Sequence, residues 1–366
     1  MPTSPGSSPA SAPCRPARAW WAGRLATDLV EVVDLGQDPQ ALDRRSSGLW
    51  AVVVPFEGGG RAYRFASSAP APLPSASGRW TGPPVQAWTS SLDEPAYLAG
   101  VEAIRRLVRE GEVYQVNLCR VLAAASPVQP DPWALAAVLA AGNPAPYAGV
   151  LDTGDGWVVS ASPELFLRRD GEVVTSAPIK GTAVTAAGLL PKDEAENVMI
   201  TDLVRNDLSK VCRPGTVTVQ TLLGLEQHPG LVHLVSTVQG RLRDGVGWAR
   251  LLAATSPPGS VSGAPKSTAL QAIRALEPVP RGPYCGAVGW VDAATGNGEL
   301  AVAIRSFWWT RDQGEDTAGR LGSAGGGVLR FGTGAGITWG SDPGGEWAET
   351  ELKAARLVGL ASARLA

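Results

Sequence analysis

The feature that most constrains the fold is a long series of short extended runs separated by turns, with helical patterns in blocks between them. Runs rich in Val, Leu, Ile and aromatic residues predict strands at 114–122, 156–161, 164–169, 172–177, 215–222, 232–242, 286–293, 299–310 and 328–338. Apolar residues at helical spacing predict helices at 93–111, 131–141, 192–208, 247–254, 265–276 and 345–363. This order lacks strict βαβ alternation and indicates an α+β protein with large, mostly antiparallel sheets.

Composition divides the chain into three parts. Residues 1–18 are rich in Pro, Ser and Ala with little to bury, which predicts a disordered tail. Residues 19–90 alternate short extended runs with Gly and Pro breaks and predict a small β-rich lobe, while 91–366 form the domain that carries the motifs below. The Gly-rich and charged stretch 312–327 is predicted to be a mobile hairpin loop.

The charge balance argues against nucleic-acid and membrane partners. The 366 residues carry a formal net charge of −2, so no basic surface is expected. The longest apolar stretch, at 132–141, is far shorter than the roughly 20 residues of a membrane span, and the N-terminus lacks a signal-peptide pattern. Four scattered cysteines without metal-ligand spacing are expected to be reduced thiols. A cytoplasmic protein that acts on a small molecule is therefore expected.

Lysine is scarce. Of the 32 basic residues only five are lysine, at positions 180, 192, 210, 266 and 353. Arginine cannot lose its proton or act as a nucleophile, so a retained lysine indicates a place where an amine is required. Some of the five can equally be chance survivors.

Lys180 lies in the segment TSAPIKGTA, at the end of a predicted strand and before Gly181 and Thr182. If the side chain is buried, its pKa falls and the free amine becomes a nucleophile. If it tips outward at the strand end, it is an ordinary solvated lysine. The local sequence leaves both interpretations open.

The last predicted helix places two carboxylates and an amine on one face. Glu346, Glu349 and Lys353 follow one another at positions i, i+3 and i+7. Such a face can bind a hard divalent cation through oxygen, and Glu196 on an earlier helix could supply a further oxygen. A solvated helix face with an internal ion pair is the simpler alternative.

Two glycine-rich segments could approach a ligand closely. In SPPGSVSGAPKSTALQAI small residues precede a helix, where backbone N–H groups can bind a carboxylate or phosphate. In GTGAGIT, at 332–338, the missing side chains would let the backbone meet a ligand. A helix cap and a β-bulge explain the same segments without any ligand.

Together these segments resemble the chorismate-binding family, which includes component I of the anthranilate and aminodeoxychorismate synthases and the isochorismate and salicylate synthases. The resemblance runs from about Glu110 to the C-terminus, through blocks in the family's order: GEVYQVNLCR, SPELFLR, PIKGTA, KDEAENVMITDLVRNDL, HLVSTVQGRL, PPGSVSGAPK, YCGAVGW, AVAIRS and GAGITWGSDPGGEWAETELK. It implies two large antiparallel sheets packed face to face and flanked by helices, with 91–366 as the chorismate-binding catalytic domain.

The resemblance also implies roles for individual residues. Glu164 is similar to the general acid that protonates the departing C4 hydroxyl, and His233 to a histidine beside the reacting ring. Glu196 and Glu349, with Glu346 close by, resemble Mg²⁺ ligands. The groups expected to contact the substrate are Gln115, Thr182, Gly263, Tyr284, Arg305, Gly334, Ala335, Gly336 and Lys353.

Two positions separate the branches of the family. Isochorismate and salicylate synthases carry a lysine base where this chain has Gln115, so addition of water is disfavoured. Anthranilate synthases typically read PIAGT, whereas PIKGT resembles aminodeoxychorismate synthases, with Lys180 as covalent nucleophile. The resemblance then implies a separate glutamine amidotransferase subunit that supplies ammonia and a downstream aminodeoxychorismate lyase. Anthranilate synthase component I and an idle chorismate-fold binding subunit are the alternatives.

Overall fold

The computed structural model describes residues 15–183, 185–228, 231–311 and 326–362. Residues 1–14 of the tail predicted at 1–18 and residues 312–325 of the loop predicted at 312–327 therefore lie outside the described residues. None of the described helices is long and apolar enough to cross a membrane. Cys119, Cys212 and Cys285 are buried free thiols.

The described residues form eighteen strands and six α-helices. The strands are β1 (Arg18–Trp21), β2 (Arg24–Asp34), β3 (Leu49–Val54), β4 (Arg61–Pro70), β5 (Thr89–Ser90), β6 (Gln115–Ser126), β7 (Tyr147–Asp152), β8 (Gly156–Ser162), β9 (Leu165–Asp170), β10 (Val173–Ala177), β11 (Ile179–Ala183), β12 (Thr218–His228), β13 (Leu231–Arg241), β14 (Gly263–Ala264), β15 (Ala287–Asp292), β16 (Gly298–Val302), β17 (Ser306–Arg311) and β18 (Gly327–Ile337). The helices are α1 (Glu94–Arg109), α2 (Pro132–Gly142), α3 (Pro191–Ser209), α4 (Trp248–Thr255), α5 (Lys266–Leu276) and α6 (Pro343–Ala361).

Hydrogen bonds connect all of these strands into one antiparallel network, and the helices flank it. The longest ladder joins β6 and β18, which pair from Val116 and Ile337 to Ser126 and Gly327. The predicted α+β class is confirmed. The large sheets that the sequence predicted are continuous with each other through shared strands.

The N-terminal strands belong to the same network. Strand β3 pairs with β15, and β1 pairs with β7 as well as β2. The division at residue 90 into a lobe and a catalytic domain stays a prediction.

Three helices begin where the sequence provides a capping carboxylate. Asp93, Asp131 and Asp342 each accept a hydrogen bond from a backbone N–H in the first turn of α1, α2 and α6, respectively. A proline at the first or second position of each helix adds to the start signal because it lacks an N–H and its φ suits a helix.

The predicted strand at 299–310 differs from the structure. It is two strands, β16 and β17, interrupted at residues 303–305, where Arg305 adopts a φ of +52°. A left-handed residue cannot continue an extended strand. Among the strands that follow residue 90, β7, β11 and the two-residue β14 were not predicted, since Gly and Ala in their sequences are typical of turns.

A buried ion pair lies just after the end of α5. Arg281 and Glu277 have side-chain exposures of 1% and 6% and lie 2.6 Å apart. The guanidinium also donates to the carbonyl oxygens of Val261 at 2.8 Å and Asn117 at 2.7 Å. All of its polar contacts therefore lie inside the protein.

Replacement of Arg281 by methionine is expected to lower the free energy of unfolding by about 3–5 kcal/mol, because the Glu277 carboxylate would stay buried without its partner. Urea unfolding followed by circular dichroism measures this loss. The double variant with Glu277→Gln is expected to recover part of the stability. A loss of under about 1 kcal/mol in the single variant would mean that water reaches the carboxylate.

Candidate active site

Lys180 is the second residue of β11 and is half-buried. Asn197 of α3 donates to the Lys180 carbonyl oxygen at 3.4 Å and to that of Leu234 at 2.9 Å. Gly181, which follows, has a φ of +95°, and a Cβ there would lie 2.9 Å from the Asp193 Cβ. Only glycine fits this position. The backbone that carries the lysine is thus held between α3 and β13.

The Lys180 amine points toward the glycines of β18. A Cβ added to Gly336 would lie 3.4 Å from Lys180 Nζ and only 2.1 Å from Gln115 Nε2. Any side chain at Gly336 would therefore displace the Gln115 amide, and its Cβ would be in van der Waals contact with the Lys180 amine. Gln115 Nε2 donates to Glu196 Oε2 at 3.2 Å, while the buried Gln115 Oε1 has no hydrogen-bond partner among the described residues. An unpartnered buried acceptor is unusual and suits a site that receives a ligand.

Glu164 is a buried carboxyl between β8 and β9, with a residue exposure of 3%. Burial raises its pKa to about 7, against the opposing effects of a hydrogen bond from Ser260 and the charge of Lys180. The Ile179 N–H and the Arg305 charge act in the same direction as Lys180. A carboxyl that is half protonated near neutrality is suited to general acid catalysis.

The raised pKa of Glu164 has a consequence for stability. The folded protein retains a proton that the unfolded chain releases above about pH 4.5, so stability falls as pH rises from there to about 7, by about 3 kcal/mol. Glutamine stays neutral. Urea unfolding of Glu164→Gln is therefore expected to show a gain of about 3 kcal/mol at about pH 8 and little change at about pH 4.5. If the variant and the wild-type protein differ in free energy of unfolding by the same amount at both pH values, the raised pKa of Glu164 is not the cause of the difference.

Three carboxylates of the predicted set influence one another electrostatically. Burial raises the pKa of Glu196 and of Glu346, and in each case the charge of Glu349 raises it further. Burial also opposes ionisation of Glu349, but Lys353, Lys192 and Lys180 together outweigh it and the pKa of Glu349 is lowered. Within the described ranges, no three His, Cys, Asp or Glu side chains enclose a metal ion by themselves.

Lys353 connects α6 to the glycine-rich strand. Its Nζ lies 2.6 Å from Glu349 Oε1 and donates to the Gly334 carbonyl oxygen at 3.0 Å. The predicted intrahelical ion pair is thus present, and it lies against β18 instead of facing only water. A Cβ on Gly334 would lie 2.5 Å from Cys119 Sγ, so β18 is closely packed on β6 at this point.

His233 and Thr182 form a pair at the edge of the candidate site. The residues are opposite each other in the ladder between β11 and β13, and Thr182 Oγ1 lies 2.8 Å from His233 Nδ1. His233 is 1% exposed. This contact holds the imidazole ring in a fixed orientation.

The other predicted substrate contacts occupy varied settings. Gly263 pairs with Val116, Ala335 pairs with Leu118, and both are buried. Arg305 lies close enough to Glu164 to affect its pKa. The Tyr284 hydroxyl lies 4.0 Å from Cys119 Sγ. A contact between these groups and a substrate stays a prediction.

Two residues join the site that the sequence reasoning did not assign to it. Ser260 lines the same small cavity as Glu164 and lowers its pKa, and the charge of Lys192 acts on Glu196, Glu346 and Glu349. Lys192 could have been suspected from the scarcity of lysine, and Ser260 from its place in the block PPGSVSGAPK.

A family model described as "chorismate binding enzyme" matches residues 66–359. The chain belongs to this family. Among members of the chorismate binding family, anthranilate synthase component 1 of Saccharolobus solfataricus is 36% identical over 281 residues, which cover 74% of this chain and 62% of that protein. The aminodeoxychorismate synthase component 1 of Klebsiella aerogenes is 37% identical over 256 residues, or 66% of this chain and 54% of that protein.

A solved structure of the chorismate binding family has the same fold. Anthranilate synthase component I from Streptococcus pneumoniae superimposes with a TM-score of 0.76 at 24% identity, covering 97% of this chain and 95% of that chain. The chain spans only part of the length of the curated relatives that it matches in sequence. The chain spans 62%, 53% and 49% of the first three curated relatives that it matches.

Proposed function

We propose that the protein is an aminodeoxychorismate synthase component I, which aminates chorismate at C4 through a covalent intermediate on Lys180. The observation that carries this proposal is the position of the Lys180 amine, beside the Gly336 backbone and within the electrostatic reach of Glu164. When both groups contact one substrate, the primary amine of Lys180 can add to it as a nucleophile. The protonated carboxyl of Glu164 can protonate a hydroxyl of the same substrate so that it leaves in the same step.

The proposed reaction has two balanced halves. The Lys180 amine adds to C2 of chorismate, the ring double bonds shift, and the C4 hydroxyl leaves as water with the proton of Glu164. Ammonia then adds at C4, the double bonds shift back, and the C2–nitrogen bond to Lys180 breaks. Glu164 regains its proton from the ammonium group that forms at C4, and the product is 4-amino-4-deoxychorismate, from which pyruvate is not released.

Neighbouring groups support this chemistry. Gln115 is an amide and cannot act as a base toward water, but its unpartnered Oε1 can accept a hydrogen bond from ammonia or from the lysine amine. His233, held by Thr182, would lie beside the ring. Arg305, Lys353, Tyr284 and the backbone at Gly263 and Gly334–Gly336 would hold the substrate carboxylates.

The carboxylates of Glu196, Glu346 and Glu349 also suit a magnesium ion. The repulsion that Glu349 exerts on Glu196 and Glu346 is of the kind that a divalent cation relieves. Mg²⁺ commonly takes one or two protein carboxylates and completes its shell with water and substrate oxygens, so it needs no cage of protein ligands. Glu196 and Glu349, with Glu346 nearby, would hold it, and the bound ion would neutralise a substrate carboxylate.

Two partners follow from the proposed reaction. A glutamine amidotransferase subunit would supply ammonia, and a lyase would convert the product to 4-aminobenzoate. The name "component 1" of the Klebsiella aerogenes relative accords with a separate amidotransferase component.

Anthranilate synthase component I is the second candidate function. Its support is sequence similarity, since relatives of that name are 36% to 40% identical to this chain, and relatives named as aminodeoxychorismate synthases are 35% to 39% identical. Lys180 opposes it, because this reaction has no use for a second nucleophile beside the ring. An idle binding subunit is a third possibility, which the retained Lys180 and Glu164 oppose.

Product analysis distinguishes the candidates. Purified protein is incubated with chorismate, Mg²⁺ and ammonium at alkaline pH, with and without added aminodeoxychorismate lyase, and products are followed by chromatography and mass spectrometry. Lyase-dependent 4-aminobenzoate is expected. Anthranilate and pyruvate without the lyase would assign the protein to the second candidate, and no turnover even with an amidotransferase subunit would favour the idle subunit.

A further inference from the structure

Each of the two carboxylates proposed to hold Mg²⁺ has one oxygen in contact with a neighbouring donor. Gln115 Nε2 donates to Glu196 Oε2 at 3.2 Å. Lys353 Nζ lies 2.6 Å from Glu349 Oε1. These contacts leave one further oxygen on each carboxylate, Glu196 Oε1 and Glu349 Oε2, for a cation.

The Gln115 side chain has little freedom to leave Glu196. Gln115 is 1% exposed, and its backbone pairs with Ala264 of β14. The next residue, Val116, pairs with Ile337 of β18. The amide itself lies directly against the backbone of β18, since a Cβ on Gly336 would be 2.1 Å from Gln115 Nε2. The donor is therefore fixed by the strands on both sides of it.

The other groups in these contacts are also held by the fold. Asn197, next to Glu196 on α3, donates to the Leu234 carbonyl oxygen at 2.9 Å and so ties this turn of the helix to β13. Lys353 Nζ donates to the Gly334 carbonyl oxygen of β18 at 3.0 Å as well as contacting Glu349. Both donors thus lie against the same strand.

We infer that Gln115 and Lys353 are positioning residues that each hold one oxygen of a metal-binding carboxylate, and that this arrangement makes the site select Mg²⁺ over Ca²⁺. The inference rests on the proposed function, in which Glu196 and Glu349 hold Mg²⁺. Mg²⁺ commonly takes one or two carboxylates and completes an octahedral shell with water and substrate oxygens. Ca²⁺ is larger, takes about six to eight oxygens and can use both oxygens of one carboxylate. Hydrogen bonds to the second oxygen of a ligand orient it and tune the affinity of the site.

Substitution of Gln115 by methionine tests the inference. Methionine matches the length of glutamine and lacks the amide donor, so Glu196 would be free to offer both oxygens. Dissociation constants of Mg²⁺ and of Ca²⁺ are measured by isothermal titration calorimetry on the full chain without substrate. The ratio of the Ca²⁺ constant to the Mg²⁺ constant is expected to fall by about tenfold or more. Gln220→Met, the same substitution on the exposed strand β12, is the matched control and should keep the wild-type ratio.

Lys353→Met provides a second arm. Loss of a positive charge should strengthen binding of both ions, and release of Glu349 Oε1 should lower the same ratio. The ratio is the decisive quantity because a purely structural defect would weaken both ions alike.

An unchanged ratio in Gln115→Met, or an equal loss of affinity for the two ions, would overturn the inference. If this variant does not fold, Gln115→Leu is expected to lower the ratio as well, and no change there would also overturn it. A wild-type protein that binds neither ion, or that prefers Ca²⁺, would have the same consequence. The titrations need no substrate, so a wild-type protein that selects Mg²⁺ and yet forms no aminated product would count against the proposed function alone.

Discussion

Replacing Lys180 by methionine is expected to reduce formation of 4-amino-4-deoxychorismate by on the order of 10³-fold or more, because a residue that forms the covalent intermediate has no substitute. Methionine matches the length of lysine and lacks the amine. Product is measured by the lyase-coupled assay, and the protein is examined by intact-mass spectrometry after rapid quenching with chorismate and Mg²⁺. Wild-type protein is expected to show an adduct that the variant lacks.

Lys180→Arg is the matched control for charge. Arginine keeps the positive charge near Glu164 and Glu196 but cannot act as a nucleophile at accessible pH. The covalent role predicts that arginine and methionine are about equally inactive. Substantial activity in the arginine variant would mean that position 180 acts through its charge alone, and anthranilate from either variant would point to a change of reaction.

Glu164→Gln is expected to lower the rate by about 10²- to 10⁴-fold, the usual contribution of a general acid. The wild-type rate should fall as pH rises through about 7, because the carboxyl must be protonated before the C4 hydroxyl leaves and its pKa is raised to about 7. Un-ionised ammonia increases with pH, so rates must be compared at constant concentration of this species. The glutamine variant should lack the decline near pH 7.

Two further observations check the role of Glu164. The double variant with Lys180→Met should be little slower than either single variant, because the two groups act in one step. A wild-type rate that is constant from about pH 6 to 8 would contradict the assignment of Glu164 as the acid. The gain in stability expected for Glu164→Gln above pH 7 shows whether a slow variant is still folded.

Much of the architecture could be predicted from the sequence because its signals are local. The final helix was predicted at 345–363 from its local sequence, and the structure confirms a helix there, at Pro343–Ala361, which begins two residues earlier at the cap that Asp342 provides. The common face of Glu346, Glu349 and Lys353 follows from helical geometry alone. Where a strand departs from the local pattern, as at Arg305, the sequence carries no sign of the left-handed backbone.

The sequence by itself determined the α+β class, the helices and the set of chemical groups that the chain offers, since these depend on neighbours within a few positions. It left Lys180 equally compatible with a solvated strand end. Only the tertiary structure places this amine beside Gly336 of β18 and Gln115 of β6, and only burial beneath distant segments raises the pKa of Glu164. The physical reason is that desolvation and charge interactions depend on what surrounds a group in space, and folding brings those surroundings from remote parts of the chain.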